Sequence, residues 1–279
     1  MNPTFWNGRH VVVTGGSSGI GLAATELLTE AGALVTVLAL DDNNAKALCR
    51  RALPNLVVAA ADVTDPEQVA AALDAGRAAH GTIRSVIACA GIVKPGYFHE
   101  LSDADLRRHM DINYFGTLHT VRRALPDLMA TQAGTITCIS SAAGLVGVFG
   151  YGAYSPSKFA VRGLVEVLRQ EYKPHGITVT GVYPPDVDTP MLAGEQKLKP
   201  PELIALSNGR NPLSAAQVAQ AMLKGTEFGR ASVVPGAETK VIKWVAGALP
   251  GLLTSWADGK IAQAQAQARA KGLAGQAQA

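Results

Sequence analysis

Residues 14–21 read Thr-Gly-Gly-Ser-Ser-Gly-Ile-Gly, directly after the apolar run His10–Thr14. Gly15, Gly19 and Gly21 stand in the spacing GxxxGxG, at the point where a β-branched run gives way to a helical pattern. Glycine tolerates positive φ and lets a backbone approach a pyrophosphate closely. A helix starting near Gly19 adds unpaired N–H groups and a positive dipole end. The stretch therefore reads as a strand-to-helix dinucleotide turn. No Lys-Ser/Thr follows the last glycine, which disfavours a triphosphate P-loop.

Outward from that turn the pattern repeats. Further short apolar runs occur at Leu34–Leu40, Leu56–Ala60, Ser85–Ala88, Gly134–Ser140, Ile177–Tyr183 and Ala231–Val234. Several lack period-2 alternation, as strands buried on both faces do. Between them lie segments of helical period at Gly19–Ala31, Pro66–His80, Asp103–Ala130 and Ser157–Lys173. This alternation predicts an α/β chain with a doubly wound parallel sheet. No Pro/Ser-rich linker splits the first 235 residues, so one domain is expected over 1–235, with a helical extension and tail over 236–279.

Composition agrees and excludes other classes. Of 279 residues 48% are hydrophobic, enough for a buried core and too many for global disorder. The net charge of +3 is too small and scattered to predict a nucleic-acid partner. Cys49, Cys89 and Cys138 lie far apart without a CxxC, which suits a reducing, cytoplasmic setting and predicts neither disulfide nor metal site. The N-terminus lacks the basic-then-apolar pattern of a signal peptide. No run of 18 apolar residues predicts a membrane-spanning helix.

The chemistry reads from a second motif. Tyr154-Ser-Pro-Ser-Lys158 sets a phenol and an ammonium four residues apart on one helix face. A phenol of pKa near 10 is a poor acid/base at neutral pH, and a nearby ammonium together with a positive nicotinamide ring would favour the phenolate and lower that value. Ser141, 13 residues upstream at the end of an apolar run, is placed to hydrogen-bond a carbonyl oxygen. Asn113 is a polar amide in mid-helix, suited to holding a water that links the lysine to solvent. Tyr151 has Ser155 at its +4 position and is set aside. At the dinucleotide end, Asp41 lies 20 residues past Gly21, where an acidic side chain takes a ribose 2′-OH, with no Arg or Lys beside it. That favours NAD(H), unless Asp41 and Asp42 simply cap the next helix. Asp62 is either an acceptor for the adenine amino group or a loop cap.

TGGSSGIG, ACAG (Ala88–Gly91), INYFG, ISSAAG, YSPSK and YPPDVDTP together resemble the short-chain dehydrogenase/reductase family, in its order and at its spacings from about Gly8 to Val234. The resemblance implies a Rossmann-type fold of seven parallel strands and a catalytic tetrad Asn113, Ser141, Tyr154 and Lys158. In that scheme Tyr154 transfers the proton, Ser141 orients the carbonyl, Lys158 binds the nicotinamide ribose and depresses the tyrosine pKa, and Asn113 supports the relay. It places a dinucleotide against Gly15, Ser17, Ser18, Gly19, Ile20, Gly21, Asp41, Asp62, Val63, Cys89, Ala90, Gly91, Tyr154, Lys158, Pro184, Val187 and Thr189, with Thr189 at the carboxamide. The family's NNAG is ACAG here, and its frequent Pro-Gly after strand six is Pro184-Pro185. Those departures resemble one branch, the 3-ketodihydrosphingosine reductases, most closely over Gly144–Pro190. The branch implies NADP(H) and a long-chain sphingoid ketone as substrate. It carries an arginine after strand two where this chain has Leu40, so resemblance favours NADP(H) and local charge NAD(H). A steroid, retinoid or xenobiotic carbonyl, or a non-catalytic dinucleotide-binding scaffold, are the alternatives; the intact tetrad argues against the last.

Two C-terminal features remain. Residues 190–211 follow strand six, and family analogy makes them a lid over the substrate. Val241–Trp256 is apolar, carries Trp244 and Trp256, and is flanked by Lys240 and Lys243. It reads either as an interfacial helix at the inner membrane face or as a segment packed over the pocket or in a dimer interface. Ile261–Ala279 is Ala/Gln-rich with almost no apolar stripe, read as a frayed helix or disorder. The family implies a homodimer or homotetramer through the helices near Asp103–Ala130 and Ser157–Lys173.

Overall fold

The computed structural model describes residues 1–40, 42–207 and 211–276. Seven strands form one parallel sheet: β1 His10–Thr14, β2 Leu34–Ala39, β3 Leu56–Ala60, β4 Ser85–Ala88, β5 Thr135–Ile139, β6 Thr178–Val182 and β7 Ser232–Val233, in the order β3-β2-β1-β4-β5-β6-β7. All six neighbouring pairs are parallel. Every strand sits within a residue or two of its expected run. Side chains alternate between two buried faces. Val12 joins one core with Val69, Leu73, Val121, Ile136 and Val161. Val11 and Val13 join the other with Leu28, Val35, Val37, Met222 and Leu223. A strand apolar on both faces needs helices on both faces, and the resulting three layers are what the unbroken apolar runs predict.

The helices supply those layers. α1 Gly19–Glu30 and α9 Ala215–Glu227 cover one face; α3 Pro66–His80, α5 Gly116–Thr131 and α6 Tyr154–Tyr172 cover the other. Besides one short N-terminal turn of helix at Pro3–Trp6, the remaining α-helices are α2 Asn43–Cys49, α4 Asp103–His109, α7 Pro190–Gln196, α8 Pro201–Ser207, α10 Ala237–Ala248 and α11 Pro250–Gln276. The chain order reverses between β1 and β4: from β1 it builds outward to β3, then crosses over to β4. Loops from their C-terminal ends diverge there and open a crevice.

Three boundaries differ from expectation. The segment Asp103–Ala130 is not one α-helix, because Met110–Phe115 forms a π turn between α4 and α5. α6 starts at Tyr154 rather than Ser157; Pro156 falls in its first turn, where a missing N–H breaks no helical bond. The Ala/Gln-rich tail is neither frayed nor disordered as far as Gln276, since α11 runs unbroken from Pro250. Ala and Gln are good helix formers, and packing against α8 with Ala264 buried supplies what the missing apolar stripe does not. Residues 277–279 lie outside the described residues. Among those described, no helix is long and apolar enough to cross a membrane.

Candidate active site

Thr14, the last residue of β1, begins the positioning. Its hydroxyl oxygen accepts the N–H groups of Cys89 at 3.0 Å and Ala90 at 3.1 Å, clipping the loop after β4 to the end of β1. Gly15 follows at φ +66°, and a methyl there would stand 3.0 Å from the Ala90 backbone. A methyl on Gly21 would run into the Gly15 carbonyl oxygen, so that glycine is needed to fold the turn back on itself. Gly19, at φ +52°, lies against Thr189, whose own hydroxyl caps α7. Strand ends far apart in sequence thus meet around one turn.

The residues present fit a nicotinamide dinucleotide. Ser18 stands at the N-cap of the twelve-residue α1 and makes no side-chain cap bond, so the first-turn N–H groups keep their capacity for an anion. Gly91 leaves open a space where a methyl would lie 3.0 Å from Asn113 Oδ1 and 3.3 Å from Lys158 Nζ. Both stretches open onto one cavity of about 1230 Å³. Ligand pockets typically hold roughly 300–1,000 Å³, so there is room for a further molecule.

Of the expected site residues, Gly15, Ser17, Ser18, Gly19, Ile20, Asp62, Val63, Cys89, Ala90, Gly91, Ser141, Tyr154, Lys158, Pro184, Val187 and Thr189 all line this cavity. Gly21 and Asn113 lie outside its lining and act through neighbours. Asp41 lies outside the described residues. Asp42 takes the capping role, accepting the Ala45 N–H at 2.8 Å. Asp62 spends Oδ1 on the Thr64 N–H and hydroxyl as a loop cap while facing the cavity.

The four residues of the tetrad come together at the ends of β4 and β5. Asn113, fully buried in the π turn, accepts the Ile92 N–H at 2.8 Å and donates to Ile92 O at 3.1 Å and Ser157 Oγ at 2.8 Å. Both Nδ2 protons are therefore spent on protein. Its place is to tie the loop after β4 to α6, and a π turn gives the side chain that reach. Ser157 in turn donates to Tyr154 O at 2.7 Å. Lys158 Nζ donates to Ile139 O at 3.0 Å and lies 5.7 Å from the Tyr154 ring centroid. Its side chain is almost wholly buried, and that burial lowers its pKa to about 8.

The electrostatics correct one expectation. The Tyr154 pKa is raised, chiefly by desolvation in the cleft, with Glu195 and Asp186 adding to the rise. The group that pulls it down is the neighbouring Ser141 side chain. The lysine, bonded to the end of β5, is not what lowers it here. The phenol accordingly holds its proton at neutral pH.

A second group lay beyond sequence reasoning. Tyr151 is buried, donates to Glu195 Oε1, and packs edge-on against Tyr154 with ring centroids 5.3 Å apart. Lys199 Nζ lies 2.8 Å from Glu195 Oε1 and 3.5 Å from Asp186 Oδ2. Tyr97 OH reaches Glu202 Oε2 at 3.0 Å, tying α8 to the loop after β4. Asp186 sat in the quoted YPPDVDTP, but its partners come from the helices that follow, and no spacing rule joins them. The far wall is apolar, built by Leu203 and Leu206 on α8 and by Leu253, Trp256 and Ile261 on α11.

Comparison with known proteins comes to the same place. The short chain dehydrogenase family profile matches residues 9–199. A 3-ketodihydrosphingosine reductase of Dictyostelium discoideum is 36% identical over 255 residues, covering 84% of this chain and 76% of its own. A 3-dehydrosphinganine reductase of Danio rerio is 37% identical over 230 residues, covering 80% and 69%. Among solved structures, a short chain dehydrogenase/reductase from Burkholderia phymatum in complex with NAD superposes with a TM-score of 0.74 at 25% identity, covering 85% of this chain and 92% of that one.

Proposed function

The chain belongs to the short-chain dehydrogenase family, and from that footing we propose that it reduces the 3-ketone of a long-chain sphingoid base to the secondary alcohol. It is an NAD(P)-dependent oxidoreductase acting on CH–OH groups. The observation that carries the substrate class is the set of apolar side chains (Leu203, Leu206, Leu253, Trp256 and Ile261) that α8 and α11 add to the cavity holding Tyr154, against which an acyl chain could lie.

The geometry gives each residue its task. Ser141 and Tyr154 line the same cavity, and the Ser141 side chain acts on the phenol, so a carbonyl oxygen placed between them would meet both hydroxyls. A nicotinamide held in this cavity would supply the hydride. Tyr154 gives its proton to the oxygen as charge develops there; in the free protein the raised pKa keeps the phenol protonated at neutral pH while making it a weaker acid. Lys158 holds the ribose side of the dinucleotide and Asn113 fixes the backbone that faces it. No group on the path needs a metal or a covalent bond to the substrate.

The dinucleotide is NADP(H) on likeness to the reductase branch. The end of β2 pulls the other way: Leu40, exposed and lining the cavity, stands where a cation would meet a 2′-phosphate. Steady-state assays with 3-ketosphinganine and a panel of short ketones, each with NADPH and NADH, test both points. The expected result is a kcat/KM for the long-chain ketone at least about tenfold above the short ones, since each buried CH₂ contributes about 0.8 kcal/mol. Equal rates across the panel would overturn the lipid reading, and a preference for NADH would overturn NADP(H).

Exposed apolar side chains support two partner readings. Phe115, Phe159 and Val167 on the π turn and α6 leave a surface suited to a second copy of the chain. Val241, Trp244 and Leu252, beside Lys240 and Lys243, form a surface suited to peripheral contact with anionic lipid. Light scattering is expected to give a dimer or tetramer, and anionic vesicles are expected to float the intact chain and not one truncated after Val234. A monomer, or flotation that survives truncation, would remove the respective reading.

A further inference from the structure

We propose that Asp186 is a specificity-determining residue that binds a positively charged amino group adjacent to the substrate's ketone. The inference rests on the long-chain reductase reading above and adds what the polar end of the cavity selects.

The charges at that end do not cancel. Asp186 and Glu195 are two carboxylates, and Lys199 is the cation between them. The lysine favours Glu195, at 2.8 Å, and both side chains are buried, 5% and 8% exposed. Glu195 also receives the Tyr151 hydroxyl. Asp186 is held less closely, at 3.5 Å, and its side chain is 39% exposed on the cavity lining. One negative charge is thus left over, and its carboxylate faces the substrate space.

That charge works against the cation beside the reacting phenol, Lys158, whose Nζ lies 5.7 Å from the Tyr154 ring centroid. Reduction builds negative charge on the carbonyl oxygen beside Tyr154, and a fixed carboxylate nearby opposes it. The same field already acts on the phenol, whose pKa Glu195 and Asp186 push upward. An ammonium delivered by the substrate resolves the conflict: it pairs with the carboxylate and offsets the field in the same step. A 3-keto sphingoid base carries its amine on the carbon next to the ketone. Asp186 lines the same cavity as Ser141 and Tyr154, near enough to act on the phenol, and in this reading the amine lies against Asp186 when the carbonyl meets the two hydroxyls. The Tyr151–Glu195–Lys199 network fixes α7 against that loop and so positions Asp186, as the ring contact of Tyr151 positions Tyr154.

The test compares three ketones of equal chain length: the free amine, its N-acetyl derivative, and the 3-ketone lacking nitrogen. The native protein is expected to favour the amine over the N-acetyl compound by about tenfold or more in kcat/KM, chiefly through KM, as a charge-assisted bond requires. Asp186→Asn is expected to shrink that ratio toward one, and Asp186→Glu to restore part of it. Competition by sphinganine against N-acetylsphinganine in the native protein gives the same reading without any variant. Reduction of all three ketones with equal efficiency, or an unchanged ratio in Asp186→Asn, would overturn the role of Asp186 and leave the lipid reductase standing. Failure of the native protein on all three would overturn the reductase reading and this inference with it.

Discussion

Tyr154→Phe is expected to lower kcat for ketone reduction by about 10²–10⁴-fold, the usual worth of a positioned proton donor, while the Kd for the dinucleotide stays within about twofold. The substitution removes one oxygen and keeps the ring, so the edge-on contact with Tyr151 at 5.3 Å survives and the first turn of α6 is undisturbed. What is lost is the one protic group that meets a carbonyl oxygen together with Ser141. Ser141 does not replace it, because a serine hydroxyl left without its phenol partner has no proton to give up at neutral pH. The effect should therefore fall mainly on kcat, with a smaller rise in KM from the lost contact to the bound carbonyl, because the interaction strengthens as charge develops in the transition state. Steady-state kinetics with fluorescence titration of NADPH reads both quantities. Retention of native kcat would remove Tyr154 from the acid/base role.

How much of this was legible in the sequence depends on the range of the interaction that decides each feature. The strands were legible because burial on both faces writes itself into consecutive residues, as in His10–Thr14 and Thr135–Ile139. The glycine turn was legible because backbone conformation is local: Gly15 and Gly19 take positive φ within the motif itself. Tyr154 and Lys158 were legible because one helical turn is a fixed distance. The rest depends on partners remote in the chain. The π turn that aims Asn113 at Ile92 is set by the loop after β4, 21 residues away. Whether the tail is ordered depends on α8, and nothing in AQAQAQARA announces that contact. The sign of the Tyr154 shift depends on cavity walls from α7 and the loop after β6, which carry Glu195 and Asp186. A lysine four residues away suggested a lowered pKa; burial overrode it, since removing solvent from a phenol acts at every position in the cleft while the ammonium is turned toward Ile139 O.

The second large effect concerns Lys158. Burial lowers its pKa to about 8, so the free protein loses the ammonium as pH rises through that value. If the ammonium holds the dinucleotide, the Kd for NADH is expected to rise by about tenfold per pH unit above that point, because the cationic fraction falls tenfold per unit. The neighbouring thiols do not confuse the assignment: burial pushes Cys89 up to about 11 and Cys138 up to about 12, and the Tyr154 phenol is raised as well. Fold stability should move the opposite way. A lysine whose folded pKa lies below its ordinary 10.5 makes the unfolded chain the better proton binder between the two values, so this residue's contribution to stability increases from pH 8 toward 10.5. Lys158→Met is expected to abolish the limb in Kd and to lower kcat/KM by roughly 10²-fold, while removing the pH dependence of stability from the same window. Binding that weakens while the fold strengthens, both setting in near pH 8 and both lost in one variant, is a pattern that general alkaline unfolding does not produce. An NADH affinity constant from pH 7 to 10, or a limb that survives Lys158→Met, would take the lysine out of the cofactor site.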